Sequence, residues 1–383
     1  MKKSFFFRCV LLAATAIFAA GYSGEVAGSE KTLKGNSSGV SQDSHIKKII
    51  IDTDIGEDID DILITAFALN FPELEVLAIT TVDGNVGARS RISRAVTKAY
   101  GQPGIPVASG YVWEMPLEDT PFTREEVGVT QGAIAPNENG LPPASNLKAD
   151  ALIASLAEKY PNEVYLLALG SYANVGQLLV RYPEAAGKLK AIVTSGIFMD
   201  PGPFTSGEKM PDWNFRYDPL AAAVIMRSKV PWVITPSTTM RYVGGLPLGE
   251  VERILKEGLV SMTTNHASGI PWEDVERMRA RGLSTTDLLV RAIELWKKNK
   301  PDAAGYPHIA DFGAFVYVIG GWLTTFKANV YITVPPSGVL PGVRVEENPS
   351  GRALIANEIA PELGPKLYKL FMERLLSPPG AAR

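Results

Sequence analysis

The sequence predicts an α/β fold: a mostly parallel central sheet flanked by helices, in a single large domain. Two observations predict it. The β-rich runs are apolar without polar alternation, as strands buried on both faces of a parallel sheet are. These runs also alternate with helix-period patterns at βαβ spacing, and no internal repeat interrupts them. The length of 383 residues admits one large domain or two ordinary ones, and the 46% apolar fraction supports a substantial core.

In chain order, strands are expected at 47–52 (KKIIID), 74–81 (LEVLAITT), 164–170 (VYLLALG), 190–196 (KAIVTSG) and 232–236 (WVITP). Helices are expected at 60–70, 88–100, 148–159, 173–182, 218–228, 284–298 and 361–376. Segments 110–146 and 200–217 are long and rich in Pro and Gly, and loops of that length in a compact domain are often functional. In open parallel sheets ligands bind beyond the carboxyl ends of the strands. Three polar strand ends, at Asp52–Asp54, Gly84–Asn85 and Gly170–Ser171, are therefore expected to converge.

The first 23 residues read as a signal peptide. Lys2, Lys3 and Arg8 flank or enter the apolar run FFFRCVLLAATAIFAA, and small residues follow it. That run is shorter than the roughly 20 residues a spanning helix needs, so no membrane span is expected in the mature chain. Export to the periplasm or medium is the corresponding expectation. Cys9, the single cysteine, lies in the leader, so the mature chain would have neither disulfide nor thiol nucleophile. Residues 24–44 read as a flexible linker and 45–377 as the folded domain. Lys and Arg are scattered and the net charge is -3, which leaves no nucleic-acid footprint.

The chemistry is concentrated in IIIDTDIGEDIDDILITAFAL, where Asp52, Asp54, Asp58, Asp60, Asp61 and Glu57 fall within ten positions. Helix capping accounts for one or two acids at a helix start. Five aspartates exceed that, and closely packed carboxylates stay partly protonated unless a cation is present. Oxygen donors without His or Cys suit a hard ion such as Ca²⁺ or Mg²⁺. An EF-hand loop is excluded, because its twelfth position would be Thr65 and an apolar run replaces the loop. The Asp-x-Asp of haloacid-dehalogenase phosphatases fits loosely, but the further DIDD has no role there.

This segment resembles the signature of the inosine–uridine-preferring nucleoside hydrolases, Asp-x-Asp-Pro-Gly-x-Asp-Asp followed by an apolar helix. The resemblance continues in order through TTVDGN (80–85), ALGSYANVG (168–176), PDWNFRYDPLAA (211–222) and IADFGAF (309–315), and spans roughly 46–376. It implies Ca²⁺, a ribose clamp, hydrolysis of the N-glycosidic bond of a small nucleoside substrate, and assembly as dimers or tetramers. Asp54 matches the residue that binds the ion and takes a proton from the attacking water. Asp61 and Asp311 match metal ligands, and Ala173 stands where a backbone carbonyl ligates. Asp60, Asn85, Asp212 and Asn214 match ribose contacts, and Thr194 falls near the position of a Met beneath the sugar.

Several departures accompany the match. Ile55 replaces the usual Pro, and the loop between Gly56 and the Asp pair is longer by two residues, so Asp58 competes with Asp60 for the ribose role. Asp60–Asp61 is preferred because the apolar helix begins directly after it. Ala310 stands where the family carries a proton-donating His, and His308 is a candidate substitute. Base preference is expected to lie in 200–217 and 240–285, with Trp213, Tyr217, Tyr242 and Trp272. Two other readings stay open: a related hydrolase of another ribosyl or glycosyl substrate, and an exported nucleoside- or sugar-binding protein without catalysis.

Overall fold

Three consecutive isoleucines at the head of the domain bury β1 in the core on both faces of the sheet. Ile49 and Ile51 of β1 (Lys47–Thr53) enter the core on one face and Ile50 enters it on the other, as the two-residue period of a strand requires. The computed structural model describes residues 46–112, 130–199, 208–242, 249, 251–257, 283–300, 309–334, 341–360 and 362–376. The expected leader, the expected linker, His45, His266, Trp272 and His308 lie outside the described residues. From Ser44 onward the chain forms one compact unit.

Seven strands lie parallel at the centre: β1, β2 (Leu74–Thr81), β3 (Val107–Ser109), β4 (Val164–Ala168), β5 (Ala191–Ser195), β8 (Trp232–Thr235) and β11 (Ala353–Ile359). Antiparallel strands β9 (Leu323–Thr333), β10 (Gly342–Glu347), β7 (Glu208–Pro211) and β6 (Phe198–Met199) extend one edge. The complete order is β3-β2-β1-β4-β5-β8-β11-β9-β10-β7-β6. Each strand and helix expected from the sequence is present, with boundaries moved by three residues or fewer. The antiparallel edge was not expected: β9 carries exposed and half-buried residues along its length, so it lacks the apolar run that marks a buried strand.

Helices cover both faces. α1 (Asp60–Leu69), α2 (Val86–Ala99), α8 (Leu283–Asn299), α9 (Phe312–Ile319) and α10 (Gly364–Leu376) pack on the Ile49/Ile51 side. On the Ile50 side lie α3 (Ala149–Lys159), α4 (Ala173–Arg181), the short α5 (Pro183–Ala186) and α7 (Pro219–Arg227). The one-turn helix α6 (Trp213–Tyr217) leads directly into α7.

Three of these helices are locked together by aromatic rings. Phe67 of α1 lies 5.2 Å from Phe312 of α9 and 5.1 Å from Phe371 of α10, and Phe312 lies 4.7 Å from Phe371. All three rings are fully buried. Such pairs add to the burial of their large apolar surfaces. The cluster packs α1, which opens with Asp60 and Asp61, against α9, which follows Asp311. Phe67→Ala is expected to cost about 3–5 kcal/mol of unfolding free energy, read from urea denaturation midpoints.

Candidate functional site

β1 has β2 on one side and β4 on the other. Its neighbours are reached by connections running in opposite directions, which opens a crevice at the carboxyl ends of the strands. Asp54 leaves β1 at this point. Gly56 then turns at φ 120°, a conformation that favours glycine, and carries the chain outward before α1 begins at Asp60. Asp60 and Asp61 occupy the first turn of α1. Asp311 directly precedes α9, and its side chain makes no capping bond to that helix.

Asp60, Asp61 and Asp311 each offer a carboxylate oxygen within 4.8 Å of the others. They are only 4%, 3% and 8% exposed. The N-terminal ends of two helices face this group, and their dipoles favour negative charge there. The backbone N–H of Asp311 donates to Asp60 Oδ2 at 3.5 Å, and the Thr53 hydroxyl donates to Asp61 Oδ1.

Burial is the largest influence on these acids, and mutual repulsion adds to it. Burial pushes Asp60 up to about 8, with the charges of Asp58 and Asp54 raising it further. Asp61 and Asp311 lie well above the ordinary carboxylate range for the same two reasons. Asp54 is pushed up to about 7 by burial and opposed by the guanidinium of Arg89. Arg89 is itself fully buried: Nε donates to the Asp83 carbonyl at 2.9 Å and Nη1 to the Ile55 carbonyl at 3.2 Å. It is a resident counter-charge behind the group, but one guanidinium does not balance four carboxylates. The donors are all oxygen and all acidic, so they fit a hard dication.

A cavity of about 540 Å³ opens over these acids, lined also by Ser195, Asp212, Asn214 and Trp213. Asp212 caps α6 through the Phe215 N–H at 2.9 Å and accepts from the Ser237 hydroxyl at 3.0 Å. Gly196, at φ +98°, lets the carboxylate close in: a Cβ there would lie 1.9 Å from Asp212 Oδ2. Asn214 Nδ2 donates to the carbonyls of Leu169 at 2.5 Å and Ser195 at 3.5 Å, which fixes the amide over the ends of β4 and β5.

The structure thus brings Asp54, Asp60, Asp61, Asp311, Asp212 and Asn214 to one cavity. Thr194 does not join them, which corrects the expectation. Its hydroxyl accepts from the Trp232 indole at 3.1 Å and donates to the Val233 carbonyl at 3.3 Å, inside the sheet. Strand alternation sends the next residue, Ser195, to the cavity instead. Asn85 is committed as the cap of α2, accepting from the Ala88 N–H at 2.9 Å, and does not line the cavity. Ala173 opens α4 and is likewise absent from the lining.

The remaining acids of the signature are resolved by their partners. Asp52 accepts from Thr80 Oγ1 and Asn174 Nδ2, both at 2.6 Å, and ties the ends of β1 and β2 to the start of α4. Asp58 turns outward to Lys300 Nζ at 2.6 Å and Trp296 Nε1 at 3.1 Å. Asp60 accordingly occupies the acidic group and Asp58 does not. Sequence reasoning missed Ser195, Ser237, Arg89, Trp296 and Lys300. Only Ser195 carried a usable signal, through its position one residue beyond Thr194 at a strand end.

The family model described as inosine-uridine preferring nucleoside hydrolase matches residues 49–350. Uridine nucleosidase 1 of Arabidopsis thaliana is 36% identical over 192 residues, covering 48% of this chain and 54% of the relative. The non-specific ribonucleoside hydrolase RihC of Salmonella newport is 33% identical over 183 residues, covering 47% of this chain and 57% of the relative. The chain thus spans little more than half the length of these curated relatives. Among solved structures, the purine-preferring ribonucleoside hydrolase of Gardnerella vaginalis superposes with a TM-score of 0.63 at 22% identity, covering 86% of this chain and 98% of that one. The inosine-uridine preferring nucleoside hydrolase of Bacillus anthracis gives 0.59 at 16% identity, covering 86% and 99%. These two likenesses establish the fold. The match of the family model over most of the domain, together with acids gathered at the ends of β1 and α9, establishes more: this chain belongs to the inosine-uridine preferring nucleoside hydrolase family.

Proposed function

We propose that this chain hydrolyses the N-glycosidic bond of ribonucleosides, releasing the free base and ribose, with Ca²⁺ held by Asp54, Asp60, Asp61 and Asp311. The observation that supports it best is the three carboxylate oxygens within 4.8 Å of one another, set across one cavity from Asp212 and Asn214. When bound, a hard dication supplies charge that acidifies a water and grips vicinal hydroxyls.

The protein's own residues do the rest. Asp54 is the general base. It lines the cavity together with Asp60, Asp61 and Asp311, where a water brought to the cation would meet its free carboxylate oxygen. Asn214 has both amide bonds committed through Nδ2, so its Oδ1 is fixed to accept from a sugar hydroxyl. Asp212 is oriented by Ser237 and the first turn of α6, and retains lone pairs for a second hydroxyl. Carboxylates surrounding the anomeric carbon favour the positive charge that develops as the glycosidic bond breaks. Trp213, 53% exposed at the rim, offers a flat apolar face to the departing base. Ala310 lines the cavity beside Asp311 and has no proton to give. The leaving group is then protonated by solvent or by another residue.

Asp54→Asn is expected to lower kcat by about 10²–10⁴-fold, measured as reducing sugar released from inosine, uridine and adenosine. Retention of near-normal kcat would remove Asp54 from the chemistry. Sugar release by the wild-type chain is expected to stop in excess chelator and to return with Ca²⁺; full turnover with the metal stripped contradicts the cation's role. A p-nitrophenyl riboside, whose leaving group needs no proton, distinguishes a working site with a narrow base preference from a binding protein that cleaves nothing.

Stability should report the same acids. Asp54 and Asp60 titrate near 7 and 8 in the folded chain against 3.8 ordinarily, so between those values the folded state binds more protons than the unfolded one. Stability in chelator therefore falls as pH rises from about 5 to about 8, a window in which ordinary carboxylates are already ionised. Added Ca²⁺ should flatten that slope. Urea midpoints across the window test it, and a midpoint that rises with pH in chelator would contradict it.

A further inference from the structure

The loop between Asp54 and Asp60 is held from outside, carbonyl by carbonyl. Ile55 O accepts from Arg89 Nη1 at 3.2 Å. Gly56 O accepts from the Gln131 N–H and from Thr130 Oγ1, both at 2.9 Å. Glu57 O accepts from Gln131 Nε2 at 3.3 Å and from Thr130 Oγ1 at 3.4 Å. Asp58 O accepts from Gln131 Nε2 at 3.2 Å. Gln131 is fully buried, and because carbonyls accept only, its NH₂ group must face the loop.

The grip is backed from α8. Asn299 Nδ2 donates to the Thr130 carbonyl at 3.3 Å, and Arg291 Nη2 donates to the Ala133 carbonyl at 3.1 Å. Trp296 on the same helix holds the Asp58 side chain. A chain of contacts therefore runs from α8 through residues 130–133 to the acid loop. The loop needs such support: like charges at its two ends repel, and a free loop relieves that repulsion by letting them spread.

We propose that Thr130 and Gln131 are positioning residues for the acidic site, fixing the path of residues 56–58 so that Asp54 stands against Asp60 and Asp61 with the spacing a divalent cation requires. This rests on the reading that a dication occupies the site. Neither residue lines the cavity, and they act through the backbone that carries the acids. They belong to the long segment 110–146, whose function is otherwise unassigned.

The test is calorimetric titration of Ca²⁺ into the chelator-treated full chain, with melting temperatures recorded in chelator and in Ca²⁺. Gln131→Met and Thr130→Val keep bulk but remove the side-chain donors, and each is expected to weaken Ca²⁺ binding by about 10-fold or more. The rise in melting temperature on adding Ca²⁺ should shrink with it, whereas a purely structural loss lowers both melting temperatures together. Thr130→Ser keeps the hydroxyl and is expected to restore binding to within about 2-fold of wild type, a small change beside typical losses from removing a supporting partner. Wild-type affinity in both Gln131→Met and Thr130→Val overturns the proposal, as does equal loss in Thr130→Ser and Thr130→Val. If Gln131→Met does not fold, the Thr130→Val and Thr130→Ser pair decides between the same outcomes. Absence of Ca²⁺ uptake by the wild-type chain overturns the cation reading itself, a failure distinct from loss of the clamp's effect.

Discussion

The mutual repulsion of buried carboxylates is the constraint around which this fold is arranged. Asp60, Asp61 and Asp311 bring like charges into close contact with almost no access to water. Left alone, such a group relaxes by protonation or by separation. The surrounding structure blocks separation. The Phe67–Phe312–Phe371 cluster joins the two helices that carry the acids, and the Thr53 hydroxyl holds Asp61 from below. Arg89 supplies one buried positive charge at the back, and two helix N-termini add partial ones. What remains is a concentrated negative charge of all-oxygen donors, which fits a hard dication.

The position of that charge follows from topology. A parallel strand delivers its carboxyl end to one side of the sheet, and the order β2-β1-β4 places a crevice there. β5 ends beside it and supplies Ser195, while the tight turn at Gly196 admits Asp212. Asn214 then bridges the carbonyls of Leu169 and Ser195. The acidic wall is carried by the starts of α1 and α9, and the amide wall is tied to the ends of β4 and β5.

Much of this was legible in the sequence because it is periodic or local. Strand β1 announced itself through Ile49–Ile51, and α1 through the apolar run after Asp61. Asp54, Asp60 and Asp61 were legible because five aspartates within ten positions exceed what helix capping uses, whereas Asp311, Asp212 and Asn214 were legible only through the family resemblance. Residues whose role is set by a distant partner left no mark. Arg89 reads as one more basic residue on an amphipathic helix until its burial is known. Thr130 and Gln131 sit in an irregular segment, and their partners lie more than 70 positions away. Thr194 lies off the cavity for a simple reason: a strand's two faces alternate, and at this strand end the cavity face belongs to Ser195. β9 and β10 were missed because half-exposed antiparallel strands lack the continuous apolar run used to find the others.

A crystal structure of the chain grown with Ca²⁺ and ribose tests the central claim most directly. The account predicts one cation among Asp54, Asp60, Asp61 and Asp311, at roughly the 2.3–2.6 Å typical of calcium–oxygen bonds, with the sugar hydroxyls completing its shell. Ribose bound with no ion between those carboxylates, or an ion held elsewhere while they pair with protein groups, would contradict it.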